Sequence, residues 1–296
     1  MKPPVFEYFL PDSTEEALAL LGTRPGAKAL AGGQSLIPAM NFRLAAPDAL
    51  IDLNGISSLA GISRLPGGGL RLGAMTRHHA IEVSPVVAAE APLLTETMPF
   101  IAHPQIRTRG TVGGSLAHAD PAAELPAVML ALEAALVLTS RSGERRVPAR
   151  EFFTGLFATA LAPGELLTAV ELPARRERSG SCFLERARRH GDYALVGVAV
   201  TVTLDASGEC DTARVALFSV GEGPVLAERV AVALEGLVPD ADVIEAAAHA
   251  VQGDIDPPSD IHASSAYRRQ LARVLTGRAL GRAFDRARAH LSTPEK

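Results

Sequence analysis

The chain has 296 residues, 47% hydrophobic and 21% charged, with a formal net charge of −4. That composition belongs to a folded protein of two or three domains; it excludes a disordered chain and offers no electrostatic basis for binding nucleic acid or an anionic membrane. Its two cysteines, Cys182 and Cys210, exclude a disulfide framework and an all-cysteine zinc site or iron–sulfur cluster held by this chain alone, and suit reduced thiols in a cytoplasmic protein.

The first residues lack the apolar core of a signal peptide, and no run approaches the roughly 20 apolar residues of a bilayer span, so no transmembrane segment is expected. Residues 5–9 read as a short strand. Ser13, with Glu16 three residues on, forms a capping box for a helix over Glu15–Leu21 that Gly22 ends. Lys28–Ala31 is a strand that runs straight into Ala31-Gly32-Gly33-Gln34-Ser35-Leu36. Helical spacing resumes over Pro38–Leu44, and Ala49–Leu53 reads as a buried strand. This alternation of strands and helices marks a small α/β subdomain over residues 1–55.

Leu59–Ile62 and Leu70–Ala74 flank Pro66-Gly67-Gly68-Gly69, a hairpin turn. Helix is expected over Thr76–Val83 and Val86–Ile101, with a break at Ser84-Pro85 and a helix start at Pro92. His78 and His79 are adjacent, so a helix points them about 100° apart; they make a poor metal pair and read as part of a solvated face. Thr111-Val112-Gly113-Gly114-Ser115-Leu116 repeats the spelling of the first glycine segment. The apolar run Leu125–Leu138 reads as a helix leading into a strand, Arg141–Arg145 as a turn and Glu165–Leu172 as a strand.

The charged stretch 174–180 divides a second subdomain, 56–176, from a C-terminal part, 177–296. There Ala194–Leu204 and Thr212–Val220 form a hairpin, followed by helices over Leu226–Leu237, Asp240–Val251 and Ser264 to about Leu291. In the last helix Leu271, Val274, Leu275, Leu280 and Phe284 face the body. Most of Arg268, Arg269, Arg273, Arg278, Arg282, Arg286 and Arg288 then face water.

The two glycine segments carry the chemistry. Paired glycines permit positive φ and close approach, consecutive amides can converge on an anion, and the serine hydroxyl adds a donor. Neither segment contains Lys or Arg, which suits a pyrophosphate that stays bound. Each alone is also explained as a tight turn. No nucleophile elbow, His-Glu-x-x-His, P-loop or Gly-x-Gly-x-x-Gly occurs, and neither cysteine sits in an activating motif. A resident redox cofactor, supplying its own chemistry, accounts for that lack.

These segments belong to a longer set of motifs. Ala31–Pro38, Ile106–Ser115, His118-Ala119-Asp120-Pro121, Arg188–Ala194 and Ala263–Arg269 occur in the order found in one family, and the match runs essentially end to end. The chain resembles the FAD-binding medium subunit of molybdenum hydroxylases of the xanthine dehydrogenase and carbon monoxide dehydrogenase type. The resemblance implies an α+β fold: a vanillyl-alcohol-oxidase-like FAD-binding unit of two α/β subdomains, then a C-terminal domain of antiparallel sheet and helices. It implies that Ala31, Gly32, Gly33, Gln34, Ser35 and Leu36, with Thr111, Val112, Gly113, Gly114 and Ser115, hold the diphosphate of FAD. Ile101, His118, Glu124 and Leu167 lie along the cofactor, and Tyr193 shields its isoalloxazine ring.

One position departs from the family: many members place lysine two residues after the aromatic matching Phe183, and this chain has Glu185. The resemblance also implies partners, a small [2Fe-2S] subunit and a large subunit with the molybdopterin cofactor, assembled as a dimer of heterotrimers. The complex would be cytoplasmic or held by its partners at the inner membrane face. The chain would relay electrons to a quinone, NAD or oxygen and would have no catalytic residue or metal of its own. A stand-alone FAD-dependent oxidase or dehydrogenase is the alternative, and a scaffold that has lost its flavin is a third reading.

Overall fold

The computed structural model describes residues 1–289. Near the N-terminus Ala49–Asp52 is buried along its whole length, as a strand covered on both sides must be. It pairs in parallel with Glu7–Phe9 on one side and Ala27–Leu30 on the other. The helix Thr14–Thr23 starts where the capping box places it, with Ser13 Oγ accepting from the Glu16 N–H at 3.3 Å. It lays Ala17 and Leu18 against Ile51 and Leu53. The next helix runs Leu36–Asn41, earlier and shorter than expected, and Arg43 follows it with φ of 62°.

Residues 62–172 build a five-stranded antiparallel sheet. Its order is Ile62–Arg64, Leu70–Gly73, Leu166–Leu172, Ala135–Ser140 and Gly143–Pro148. The expected turn at Arg141–Arg145 is tighter than the sequence suggests, because Gly143 already pairs with Ser140 and Arg145 with Leu138. The expected helix Val86–Ile101 is three pieces: Pro85–Glu90, Pro92–Thr97 and a 3₁₀ turn Met98–Phe100. Proline at the start of each piece has no N–H to continue the preceding ladder.

The C-terminal sheet is antiparallel, in the order Ser179–Ala187, Ala194–Leu204, Cys210–Phe218 and Val225–Leu226. Its first strand carries no clean alternation because both faces are covered, so the sequence does not announce it. One face packs Cys182, Val198 and Val200 against the long helix Ser265–Ala289. The other face sends Phe183, Ala199 and Phe218 toward the helix Glu124–Ala131. That helix is buried at every residue from Leu125 to Ala131, as one hydrophobic all round should be between two sheets.

Arg268 departs from the expected solvated stripe, while Arg286 stays exposed and makes an ion pair. Arg268 is buried and donates to Asp260 Oδ2 at 2.7 Å and to the Leu195 carbonyl. Arg286 donates to Glu96 Oε2 at 2.6 Å, tying the long helix to Pro92–Thr97. The last residues of the helix expected to end near Leu291 lie outside the described residues. The helix expected over Leu226–Leu237 is only Glu228–Val232. Asp240 caps Ala241–Ala250, accepting from the Val243 N–H at 2.9 Å. Among the described residues no helix is long and apolar enough to cross a membrane.

Candidate cofactor cleft

The first glycine segment leaves the strand Ala27–Leu30, and Gly33 turns it with φ of 73°, in the left-handed region that glycine favours. The second does something different. Thr111 Oγ1 accepts from the Gly114 N–H at 3.1 Å and caps a helix, Val112–His118, so Gly113 and Gly114 have helical backbones rather than positive φ. Their glycine identity answers to space. A Cβ on Gly113 would lie 2.5 Å from Ala74 Cβ, and one on Gly114 would lie 3.2 Å from Ala31 Cβ. On the facing segment, a Cβ on Gly32 would lie 2.3 Å from the Arg109 carbonyl oxygen and 2.8 Å from Gly110 Cα. The first segment therefore touches, backbone to backbone, the residues that lead into the second.

A polar chain ties them together. Asn54 Nδ2 donates to the Ala31 carbonyl at 2.9 Å, and Asn54 Oδ1 accepts from the Arg77 guanidinium. The same guanidinium donates to the Arg109 carbonyl, two residues ahead of the second segment. Asp52 Oδ1 accepts from the Asn54 N–H at 2.9 Å, and the Tyr8 hydroxyl donates to Asp52 Oδ2 at 2.6 Å. That carboxylate, as hydrogen-bond acceptor, and burial push the Tyr8 hydroxyl above the usual phenol range. Sequence reasoning missed this clamp, since residues 8, 52, 54 and 77 share no motif.

Between the segments opens a cleft of about 680 Å³, within the roughly 300–1,000 Å³ of ligand pockets. It brings together Ala31, Gly32, Gly33, Gln34, Ser35, Leu36, Ile101, Thr111, Gly113, Gly114, Ser115, His118, Glu124, Leu167 and Tyr193. Val112 is not among its walls; its side chain is buried in the core with Leu116 and Leu125. Lys28, His78 and Asp120 line the cleft without having been singled out for it. His78 also corrects the expected solvated face: it is 4% exposed, whereas His79 is exposed beside Glu82 at 3.3 Å.

Burial sets the electrostatics at the inner end. Glu124 is pushed up to about 7 by burial, with the Asp120 charge adding to it. Glu185, on the strand Ser179–Ala187 and not itself in the cleft wall, is pushed up to about 8 by burial and then by Glu124. Burial also holds His118 below the ordinary imidazole range, and its ring lies 5.2 Å from that of Phe157. Tyr193 stands at the rim, 71% exposed, on a turn that Gly191 makes with φ of 84°. That turn packs tightly on the second subdomain, since a Cβ on Gly191 would lie 2.4 Å from the His103 ring.

The fit to FAD rests on this cradle. Side chains are cleared where the segments meet, leaving main-chain groups facing the cleft, and the Ser35 hydroxyl caps no helical N–H. The walls alternate such polar groups with apolar Ile101, Leu161 and Leu167, as an elongated ligand with charged and aromatic parts requires.

Residues 4–175 match the family model described as the FAD binding domain in molybdopterin dehydrogenase, and residues 181–283 match that of the CO dehydrogenase flavoprotein C-terminal domain. Fold and cleft together define a FAD-binding oxidoreductase subunit with an α+β fold, as expected. The chain is 44% identical to the 6-hydroxypseudooxynicotine dehydrogenase complex subunit alpha of Paenarthrobacter nicotinovorans, covering 97% of each chain. It is 41% identical to the carbon monoxide dehydrogenase medium chain of Afipia carboxidovorans, over 97% of this chain and 100% of that one. A carbon monoxide dehydrogenase chain from Hydrogenophaga pseudoflava superposes with a TM-score of 0.94 at 39% identity, covering 97% of this chain and 99% of that one. The chain belongs to the FAD-binding medium subunits of the carbon monoxide dehydrogenase and xanthine dehydrogenase type.

Proposed function

We propose that the chain is the electron-transfer subunit of a multi-subunit molybdenum hydroxylase. It takes electrons from a [2Fe-2S] subunit and passes them to an external acceptor, within an assembly that also contains a large molybdenum subunit. The observation that carries this reading is the end-to-end match to subunits of dehydrogenases named for unlike substrates. Relatives at 39–44% identity are named for carbon monoxide, caffeine and 6-hydroxypseudooxynicotine. A chain that stays alike while those substrates change serves a step they share.

FAD, when bound, supplies the redox chemistry. The residues of this chain hold and screen it. Ala31–Leu36 and Thr111–Ser115 grip the diphosphate through main-chain groups and the Ser35 and Ser115 hydroxyls, with Val112 acting only from the core beneath. Ile101, His118, Glu124 and Leu167 form the wall along the cofactor. Tyr193, exposed at the rim, would shield the isoalloxazine ring and control access to it. The chain is organised as parts 1–55, 56–176 and 177–296, the last two closing on one another at the cleft's inner end.

The test has two arms. The full chain is loaded with FAD and offered candidate organic substrates alone, then in complex with co-expressed iron–sulfur and molybdenum chains. Flavin bleaching only in the complex supports the relay; bleaching by the chain alone establishes a stand-alone oxidase or dehydrogenase instead. In the complex, Tyr193→Ala should retain FAD and change the rate of reoxidation by oxygen several-fold. An unchanged rate removes Tyr193 from the gatekeeping role.

A further inference from the structure

His78 lies at the start of the helix His78–Glu82, and its N–H donates to the Gly110 carbonyl at 3.0 Å, anchoring it beside the second glycine segment. The ring lines the cleft, yet the residue is 4% exposed and neither ring nitrogen has a hydrogen-bond partner among the described residues. Its Nδ1 edge packs on Gly110, where a Cβ would stand 3.0 Å away. Native proteins rarely leave a buried polar group unpartnered, and doing so costs the full desolvation of that group.

The cations around the ring are already committed. Arg107 donates to both Glu82 oxygens at 2.9 Å, and Arg77 is held by Asn54 and the Arg109 carbonyl. Burial pushes His78 down to about 4; the next effect in size is an upward pull from the Thr111 backbone, and Arg107 and then Arg77 add smaller downward ones. The ring is therefore neutral at ordinary pH, with one N–H donor and one bare lone pair. A phosphate oxygen satisfies only the donor. A hydroxyl satisfies either nitrogen.

We propose that His78 is a cofactor-binding residue whose imidazole hydrogen-bonds a hydroxyl of FAD, on its ribityl chain or its ribose. The assignment rests on FAD occupying this cleft. His78→Phe keeps a flat ring of similar size and removes both nitrogens. In the full chain it should weaken FAD binding roughly tenfold, as loss of a buried hydrogen bond does. The thermal midpoint without FAD should stay level or rise, because two unpaired nitrogens leave the interior. His79→Gln, on the exposed neighbour, should bind as the unaltered chain does.

Independently of any variant's folding, a ring ¹⁵N resonance of His78 in the unaltered chain should shift when FAD is added. Equal FAD affinity in folded His78→Phe, or a His78 ring insensitive to FAD, overturns the proposal. Failure of the unaltered chain to bind FAD overturns the cleft reading beneath it, which is a different result.

Discussion

Gly32→Ala is the sharpest test of how the two glycine segments work. The added methyl carbon would sit 2.3 Å from the Arg109 carbonyl oxygen and 2.8 Å from Gly110 Cα, both main-chain atoms. Ordinary contact lies near 3.5 Å, so the segments must part by about 1 Å. The Arg109 carbonyl is held by Arg77, which is itself held by Asn54, so the withdrawal is resisted on both sides. Overpacking of this kind costs about 1–3 kcal/mol. The empty chain can relieve it by opening the cleft, whereas the loaded chain needs both segments closed, so the cost falls on binding. FAD affinity should drop about 5- to 150-fold.

The assay is titration with FAD, following quenching of flavin fluorescence, with far-UV circular dichroism as a check on folding. Gly22→Ala is the control, since its Cβ meets nothing within 4 Å. A folded Gly32→Ala chain that binds FAD within about twofold of the unaltered one would refute the backbone-contact argument.

Two further outcomes follow from the surroundings of the cleft. Asn54→Ala removes the bond to the Ala31 carbonyl and frees Arg77 on one side, so FAD affinity should fall roughly tenfold with circular dichroism unchanged; unaltered affinity would show that the clamp does not set the spacing. Glu185→Gln tests the carboxyl pair that Glu185 forms electrostatically with Glu124 through pH. The folded pKa, about 8, is above the ordinary carboxyl value of 4.5, so the protonated form is favoured by the fold. Stability is therefore undiminished below pH 4.5, declines as pH rises toward 8, and stays reduced above it. Glutamine escapes that decline, so its thermal midpoint should exceed that of the unaltered chain by a few degrees at pH 8.5 and by little at pH 5. An equal difference at both pH values would mean Glu185 is not titrating in that window.

Much of the cleft is legible in the sequence because its makers are local. Gly32 and Gly33 lie together at the end of one apolar strand, and Thr111 caps the Gly113-Gly114 turn three residues on. Helix starts at Ser13 and Asp240 were likewise readable, since a cap and its N–H lie within one turn. Of the two properties that paired glycines permit, the segments use positive φ at Gly33 alone; the second segment is a helix start whose glycines allow close approach to Ala74 and Ala31.

Composition and local pattern by themselves determined that this is a folded chain of strands and helices with two glycine segments able to face a phosphate, and the order of motifs determined its family and, through it, the α+β fold. Only the tertiary structure decided that Val112 belongs to the core, that His78 is buried on the cleft wall, and that Tyr8, Asp52, Asn54 and Arg77 bind the segments to each other. The physical reason is range. Capping and turn chemistry act within a few residues, whereas the burial of a side chain is set by partners far along the chain, and a residue's spelling is the same on a wet face and in a closed cleft.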